Sequence, residues 1–324
     1  MSIVTSFGEA LIDFVPLENG LPLAEVTTFA RAPGGAPANV AAAVARLGGQ
    51  ARFAGQVGAD AFGECLRRTL ERVGVDTRYL LATGEAKTAL AFVSLRADGE
   101  RDFMFYREPS ADMLMPAEAI TPAWFADNAV FHFGSLTLTH PRARAATYRA
   151  VELARAAGNL VSFDPNLRLS LWPSAAAFSD AVRPLLGQAH VLKLSEEELP
   201  VLCPVAEEAA AVAWLLAQGV ALVVITRGER GTSAYSRHGR VDAPSLAVTA
   251  VDTTGAGDAF VGGLLYQLAA AGIGPHNLDA LLADSGRLST MLRFANACGA
   301  LTATRRGAIP ALPDRAEVEA ALAG

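Results

Sequence analysis

The stretch AVDTTGAGDAFVGGLLYQL, residues 250–268, predicts a glycine-rich turn that leads into an apolar helix, and residues 247–251 predict a strand that approaches the turn. Small residues at Gly255, Ala256 and Gly257 let backbone N–H groups point at an anion, and the helix start adds its positive dipole end. Asp258 follows in the first helical turn, where helix capping is the ordinary alternative to a catalytic role. An anion hole with a general base beside it is the arrangement that phosphoryl transfer requires.

Short apolar runs alternate with alanine-rich segments of helical period around this stretch. The predicted strands are 3–7, 52–57, 129–133, 160–163, 190–194 and 221–226. The predicted helices are 38–47, 62–73, 142–157, 175–186, 207–217, 255–268, 288–304 and 314–322. This alternation implies βαβ crossovers, and therefore an α/β fold whose mostly parallel sheet is covered on both faces.

Two stretches break the alternation and indicate a second, smaller sheet. Residues 12–30 are extended in character, and residues 87–106 alternate like half-exposed strands around the turn signal Ala97-Asp98-Gly99-Glu100. Such an appendage is a candidate lid, and its apolar face needs cover, which predicts a homodimer formed through the lid. The expected division is a core of 1–11, 34–86 and 112–324, with a discontinuous β lid of 12–33 and 87–111.

Composition excludes several classes of function. The chain has 324 residues, 52% of them hydrophobic, and a net charge of −6, so no basic field exists to hold nucleic acid or an anionic membrane. The apolar stretch 209–225 is divided by Gln218-Gly219 and is predicted to be helix, turn and strand rather than a membrane span. The three separated cysteines and a first segment without a basic region favour a cytoplasmic protein.

Other polar or glycine-rich stretches lie at predicted strand ends or helix starts. Asp164, Asn166 and Arg168 follow a buried strand in SFDPNLRLSLWP, where ligand crevices of α/β sheets lie. The remaining stretches are APGGAPANVAAAVARLGG at 32–49, KLSEEEL at 193–199 and ITRGERG at 225–231. Each of these three also has an ordinary interpretation, as a turn, a solvated helix start or a hairpin. The sequence has neither a GxGxxG fingerprint nor a Walker loop, which disfavours a dinucleotide fold and a P-loop.

Together these stretches resemble the ribokinase-like (PfkB-type) carbohydrate kinases. Residues 34–39, GGAPAN, are similar to the first signature of that family, and residues 252–258, DTTGAGD, are similar to its second. The resemblance runs from about residue 8 to Pro313, and several segments look closest to the fructokinase branch. It implies a three-layer α/β/α core, a β lid, ATP and Mg²⁺ as cofactors, and a K⁺ site.

The resemblance also implies roles for individual residues. Asp258 would be the base, and Gly255, Ala256 and Gly257 the anion hole. The sugar would be bound by Asp13, Gly34, Gly35 and Asn39. The residue pattern itself adds Asn166 and Arg168 at the strand end as candidates, and the alternation of Phe103, Phe105 and Arg107 along one predicted lid strand places Arg107 on the face that covers the sugar. ATP would be bound by Lys193, Ser195, Glu198, Thr226, Gly228, Gly231 and Asn296, with Glu198 also organising Mg²⁺ through water. A monovalent cation would be held by Asp252, Thr254, Thr302, Arg305 and Gly307, mostly through carbonyls. The family's Asn-x-x-Glu motif falls on Ser195 and Glu198, so its first position departs from the pattern.

The expected activity is therefore ATP-dependent phosphorylation of a sugar, with fructose as the expected acceptor. Within the same chemistry, 2-keto-3-deoxygluconate kinase and riboside kinase are the alternatives. A sugar-binding regulator on a kinase fold is the alternative from a different class, but a regulator has no need of a base such as Asp258. A dehydrogenase is disfavoured by the missing glycine fingerprint.

Overall fold

The computed structural model describes residues 2–18, 20–95 and 101–324, and the predicted turn at 97–100 lies outside them. Its strands, in chain order, are β1 (Ile3–Phe7), β2 (Leu11–Pro16), β3 (Phe29–Gly34), β4 (Gln50–Gly58), β5 (Asp76–Thr83), β6 (Leu90–Leu95), β7 (Arg101–Tyr106), β8 (Asn128–Gly134), β9 (Leu160–Asp164), β10 (Val191–Ser195), β11 (Leu222–Thr226), β12 (Thr232–Ser236) and β13 (Gly239–Ala243). Its α-helices are α1 (Ala36–Arg46), α2 (Ala61–Arg72), α3 (Pro141–Ala156), α4 (Ala175–Leu186), α5 (Leu199–Leu202), α6 (Glu208–Ala217), α7 (Ala256–Ala270), α8 (Leu278–Ala283), α9 (Ser285–Ala303) and α10 (Arg315–Ala323).

The described strands form two sheets. The large sheet has nine strands in the order β13-β12-β11-β10-β9-β8-β1-β4-β5, and the small sheet has four in the order β3-β2-β6-β7. From β11 to β5 the neighbours in the large sheet run parallel, whereas β12 and β13 add an antiparallel edge. The predicted α/β class with a mostly parallel sheet and a second small sheet is confirmed.

Helices cover both faces of the large sheet and make three layers. One apolar cluster joins α1, α7, α8 and α9 to one face. A second cluster joins α3, α4 and α6 to the opposite face, and it includes the stacked rings of Phe133 and Phe163, 4.3 Å between centroids. The central strands β9, β10 and β11 therefore bury side chains on both faces, which is why these runs are mostly apolar rather than alternating.

Helix α7 is fixed by close approach to its two neighbours. A Cβ atom at Gly262 would lie 2.4 Å from the Cβ of Ala43 in α1, and one at Gly263 would lie 2.8 Å from Sγ of Cys298 in α9. Glycine at both positions lets α7 pack between α1 and α9 without a gap. This packing sets where the first turn of α7 meets the start of α1.

The segment before α7 corrects one prediction. Residues 247–251 were expected to approach the turn as a strand, but this part of the chain is irregular. The backbone N–H groups of Val251 and Asp252 both donate to the carbonyl of Ala303, at the end of α9. The last turn of a neighbouring helix therefore replaces a strand partner here. Strands β5, β12 and β13 and the short helices α5 and α8 were also not predicted.

The two faces of the small sheet differ in character. Asp13 of β2 lies opposite Ala32 and Ala91, and Ala91 lies opposite Phe105, so these residues share one face. The other face carries Phe14 and Phe92, whose rings stack 4.8 Å apart, with Met104 opposite Phe92 in the register. Within the described residues, no helix is long and apolar enough to cross a membrane.

Candidate active site

The turn before α7 has the geometry of an anion-binding helix start. Gly255 caps the helix with φ +77°, and a Cβ atom there would lie 2.9 Å from the Cβ of Ala308. Both the left-handed backbone and the close contact require glycine. The N–H groups of Gly257 and Asp258 have no carbonyl within the helix to bond, whereas that of Ala256 donates to the carbonyl of Thr253 at 3.2 Å. Together with the helix dipole they can bind an anion.

Asp258 lies buried in that turn beside the start of α1. Its Oδ2 accepts a hydrogen bond of 2.7 Å from Nδ2 of Asn39. Burial raises the pKa of Asp258 to about 6, and Asp164 adds to the rise, whereas the bond from Asn39 and the charges of Lys193 and Arg168 lower it. The pKa of this carboxyl is thereby brought close to physiological pH, where a general base is ionised and still able to accept a proton.

A second carboxylate, Asp13, faces the same space from the small sheet. Burial raises the pKa of Asp13 to about 7, with Arg168 lowering it and Asp258 raising it. Its Oδ2 would lie 2.7 Å from a Cβ atom at Gly34, so glycine gives this carboxylate room beside the loop that starts α1. The exposed Arg168 donates to the carbonyl of its neighbour Leu167.

Lys193 and Asp164 form a buried ion pair on the other side of Asp258. Their Nζ and Oδ2 atoms are 3.1 Å apart. Burial opposes the charge of Lys193, but Asp164, Glu198 and Asp258 together hold its pKa above the ordinary value. Nζ would lie 3.6 Å from a Cβ atom at Gly257, so a cation stands directly beside the anion-binding turn. Asp164 was predicted at a strand end where ligand crevices lie, but without a specific role in the site. Its position on β9, next to β10, was the signal that could have paired it with Lys193.

Glu198 joins two of the predicted loops. Its Oε1 accepts from the N–H of Leu167 at 2.5 Å, and its Oε2 accepts from the N–H of Ser195 at 2.7 Å. Asn166, with φ +47°, makes the turn between Asp164 and Leu167. Glu198 thus fixes both loops at the carboxyl ends of β9 and β10.

The other predicted ATP-binding residues lie around the ends of β11 and β12. Thr226 is opposite Ser195 in the sheet register, and the 227–231 turn connects the antiparallel β11 and β12 with Gly228 at φ +55° and Gly231 at φ +84°. Asn296 of α9 accepts from Thr232 at 2.6 Å and donates to the carbonyls of Ala243 and Pro244. These hydrogen bonds of the Asn296 side chain tie α9 to the start of β12 and the end of β13.

The predicted cation-binding residues come together as two adjoining loops. Asp252 accepts from the N–H of Thr254 at 3.0 Å and from the N–H of Gly307 at 2.9 Å. Thr302 is buried at the end of α9, where its Oγ1 donates to the carbonyl of Cys298, and Arg305 pairs with Glu317 of α10. The side chain of Arg305 therefore points to α10, and its part in the loop would be its backbone.

Arg107 differs from its expected position on an exposed lid strand. It lies one residue beyond β7, is 3% exposed and pairs with Asp112, which is also 3% exposed. The strand ends at Tyr106, so the alternation that was extended to Arg107 does not apply there. Its predicted contact with the sugar stays a prediction.

Metal binding by the protein alone is not indicated in the described part of the chain. No group of three or more His, Cys, Asp or Glu is arranged there to hold a metal ion. Mg²⁺ is commonly bound by one or two carboxylates together with substrate phosphates and water, and Glu198 fits that kind of site. Carbonyl and carboxylate oxygens around the Asp252 loop fit a monovalent cation.

The fold and this site together define a phosphotransferase of the ribokinase type, and comparisons with known proteins agree. Residues 1–315 match the model of the pfkB family of carbohydrate kinases. The chain is 49% identical to fructokinase-1 of Zea mays, over 98% of this chain and 96% of the relative. It superposes with a TM-score of 0.92 on fructokinase with bound ATP from Xylella fastidiosa, at 40% identity and covering 99% and 98% of the two chains. A double mutant of fructokinase from Vibrio cholerae O395, in fructose, ADP and potassium ion bound form, gives a TM-score of 0.89 at 35% identity, covering 99% and 98%.

The chain therefore belongs to the pfkB family of carbohydrate kinases. The sequence-based identification of the family is confirmed, and so is the expected enzyme class.

The charges around Asp258 give a prediction that does not depend on activity. Lys193→Met removes a cation that lowers the pKa of Asp258, so that pKa should rise above about 6 by about one unit. Carboxyl ¹³C NMR titration of the two proteins would measure it. Lys87→Met is the matched control, because Lys87 is exposed and is not among the groups that shift Asp258. Equal Asp258 titrations in wild type and Lys193→Met would contradict the assignment of this ion pair to the site.

Proposed function

We propose that this protein is an ATP-dependent fructokinase, which transfers the γ-phosphoryl group of ATP to the primary hydroxyl of fructose and forms fructose 6-phosphate and ADP. The observation that carries the proposal is the position of Asp258, hydrogen-bonded to Asn39, charge-coupled to Asp13 and located in the first turn after Gly255. The names of the similar fructokinases, among them one bound to fructose and ADP, support fructose as the acceptor.

Asp258 acts as the general base in this proposal. It takes the proton of the acceptor hydroxyl as the oxygen forms its bond to the γ-phosphorus, and the bond to the β-phosphate oxygen breaks with ADP as the leaving group. Backbone N–H groups of Gly255, Ala256 and Gly257 stabilise the charge on the transferred group. Lys193 adds a cation beside Gly257, where the chain carries few other positive charges.

The sugar lies between the small sheet and the start of α1. Asp13 accepts hydrogen bonds from two sugar hydroxyls, and Gly34 and Gly35 let the sugar approach the backbone. Asn39 binds a hydroxyl while it orients Asp258. Arg107, Asn166 and Arg168 complete the proposed set.

ATP lies along the carboxyl ends of β10 and β11. Lys193, Ser195 and Glu198 are placed toward its phosphates, and the crevice at Thr226, Gly228, Gly231 and Asn296 receives the nucleoside. Mg²⁺, organised by Glu198 through water, would neutralise phosphate charge, and K⁺ at Asp252, Thr254, Thr302, Arg305 and Gly307 would order the loop before Gly255.

The small sheet acts as a lid that excludes water, which would otherwise compete as acceptor. A cytoplasmic location, where ATP is available, is part of the proposal.

The test of the base is Asp258→Asn. Removing the base should lower kcat by about 10²–10⁴ while the dissociation constants of ATP and sugar stay within a few-fold. Steady-state kinetics and calorimetric binding measure both effects. A variant that keeps more than about a tenth of wild-type kcat would remove Asp258 from the mechanism.

The pH dependence of activity follows from the raised pKa values of two carboxyl groups. Asp258 and Asp13 must be ionised to act, and their pKa values in the free protein are about 6 and about 7. The value of kcat/KM for fructose should therefore fall as pH decreases through 7 and 6, since kcat/KM reports the free enzyme. A flat profile between pH 5.5 and about 7.5 would contradict the roles of both groups.

The choice of sugar is tested by a coupled ADP-release assay. Asp13, Asp164 and Asp258 give the site negative charge. The buried cations Lys193 and Arg107 are already paired with Asp164 and Asp112, so the carboxylate of 2-keto-3-deoxygluconate has no unpaired buried cation to meet it. We expect kcat/KM for fructose to exceed that for 2-keto-3-deoxygluconate by at least about tenfold. Ribose and aminoimidazole riboside complete the panel. A higher kcat/KM with 2-keto-3-deoxygluconate or with a riboside would overturn the assignment of fructose as the acceptor, but the protein would still be a sugar kinase.

The cation loop predicts activation by K⁺. Asp252 already braces Thr254 and Gly307 through its carboxylate, and a bound cation would tie their carbonyls to the same place. The rate at saturating Mg-ATP should rise when K⁺ replaces tetramethylammonium at constant ionic strength. Equal rates in the two salts would argue against a functional cation site.

The outer face of the small sheet predicts a homodimer. Leu17, Met104 and Tyr106 are 57%, 43% and 57% exposed, and Met104 and Tyr106 share one face of β7. Met104→Glu should convert the dimer to a monomer in sedimentation velocity, because it places a charge in an apolar interface. The exposed Val205→Glu is the matched control. A wild-type monomer at micromolar concentration would overturn the proposal.

A further inference from the structure

A buried polar cluster lies where the chain passes between the two sheets. Glu9 stands between β1 and β2, Ala36 opens α1 directly after β3, and Arg107 and Asp112 follow β7. Three crossings between the core and the small sheet therefore meet at one place. Glu9 belongs to the GEALIDF stretch, yet none of the proposed roles above involves it.

The cluster is closed to solvent and already partly bonded. Glu9 is 4% exposed, and Arg107 and Asp112 are each 3% exposed. Oε1 of Glu9 accepts from the N–H of Ala36 at 3.1 Å. Arg107 donates to Asp112, whose other oxygen accepts from Ser110. The carboxylate of Glu9 thus holds the start of α1, and Asp112 holds the guanidinium at the base of the small sheet.

Glu9 and Arg107 each have one buried side-chain atom without a hydrogen bond. Among the described residues, Oε2 of Glu9 and Nε of Arg107 are buried and have no hydrogen-bond partner. Burial raises the pKa of Glu9 to about 7, and the charge of Arg107 lowers it. The two side chains therefore interact electrostatically although no hydrogen bond joins them. An acceptor and a donor that are both buried and unpaired are costly, and pairing them removes both costs.

We propose that Glu9 is a positioning residue for sugar binding, which holds the start of α1 through Ala36 and pairs with Arg107 when the small sheet closes over the sugar. The inference rests on the proposed function, since the sugar-binding residues Gly34, Gly35 and Asn39 adjoin Ala36. Closure brings Nε of Arg107 to Oε2 of Glu9, and it sets the lid relative to the loop that carries Asn39. Glu9 touches no reacting atom and acts through α1 and Arg107.

The kinetic test compares Glu9→Gln, Arg107→Met and the double variant. Glu9→Gln keeps the shape of the side chain and removes its charge. We expect KM for fructose to rise at least about fivefold, with KM for ATP within about twofold. The double variant should have a KM for fructose no higher than that of the more impaired single variant, because both substitutions break the same pair. Additive effects would show that Arg107 meets the sugar independently of Glu9, and they would overturn the proposal.

Asp76→Asn is the matched control. Asp76 also pairs with a buried arginine, Arg52, at 3.1 Å, but it lies at the amino end of β5, on the edge of the sheet away from the site. It should leave KM for fructose within about twofold. Glu9→Asp is the second variant, since it keeps the charge but shortens the reach to Ala36, and it should also raise KM for fructose. Unchanged fructose KM in both Glu9 variants, or failure of both to fold while Asp76→Asn folds, would overturn a positioning role.

Hydrogen exchange on the free protein separates this inference from the proposed function. Glu9→Gln should speed exchange of the Ala36 amide at least about tenfold relative to wild type and Asp76→Asn, because the charged acceptor is lost. Wild-type protein without turnover on any sugar would refute the fructokinase proposal, and the exchange result would still decide the contact between Glu9 and α1. Unchanged exchange at Ala36 would overturn the inference whatever the kinetics show.

Discussion

The hydrogen bond from Asn39 to Asp258 is the contact on which the rest of the site depends. The two residues are 219 positions apart, and each lies in the first turn of a helix that packs against the other. The bond exists only because Gly262 lets α7 approach Ala43 of α1. A larger residue at that position would separate the helices, and the carboxylate would lose both its orientation and the group that offsets its burial.

Charge compensation around Asp258 explains how a chain with little positive charge can bind phosphate groups. Three carboxylates, Asp13, Asp164 and Asp258, lie close to one buried lysine and one exposed arginine. Burial raises the pKa of Asp13 and Asp258 toward neutrality, which lowers the average negative charge that an incoming nucleotide meets. The N–H groups at the start of α7 supply partial positive charge without a side chain to desolvate. In the proposed mechanism, the same arrangement provides both the base and the place for anions.

The small sheet faces the candidate site on one side, and its other face is only partly covered, where Phe14 packs against Phe62 of α2. Asp13 and Phe105 share the face toward Asp258, whereas Met104 and Tyr106 lie on the exposed outer face. Alternation along each strand separates the two functions by one residue. The chain enters and leaves this sheet through buried, charged positions at Glu9 and Arg107, which adjoin the proposed sugar-binding loop at the start of α1.

The fold class, most strands of the large sheet and the family could be predicted from the sequence, because these depend on local patterns. The apolar runs of β1 and β9 are buried on both faces, so they can be recognised as strands from their own residues. The two glycine-rich signatures are likewise continuous stretches that can be recognised without knowing which elements they contact. The sequence did not reveal β12 and β13, which are short edge strands with mixed polarity, or the irregular approach to Gly255, which bonds to the end of α9. The ion pair of Lys193 with Asp164, the burial of Arg107 with Asp112 and the contact of Glu9 with Ala36 were decided only by the tertiary structure. Such pairings join residues that are remote in sequence, and which oppositely charged groups meet depends on strand order and helix packing, which no local pattern encodes.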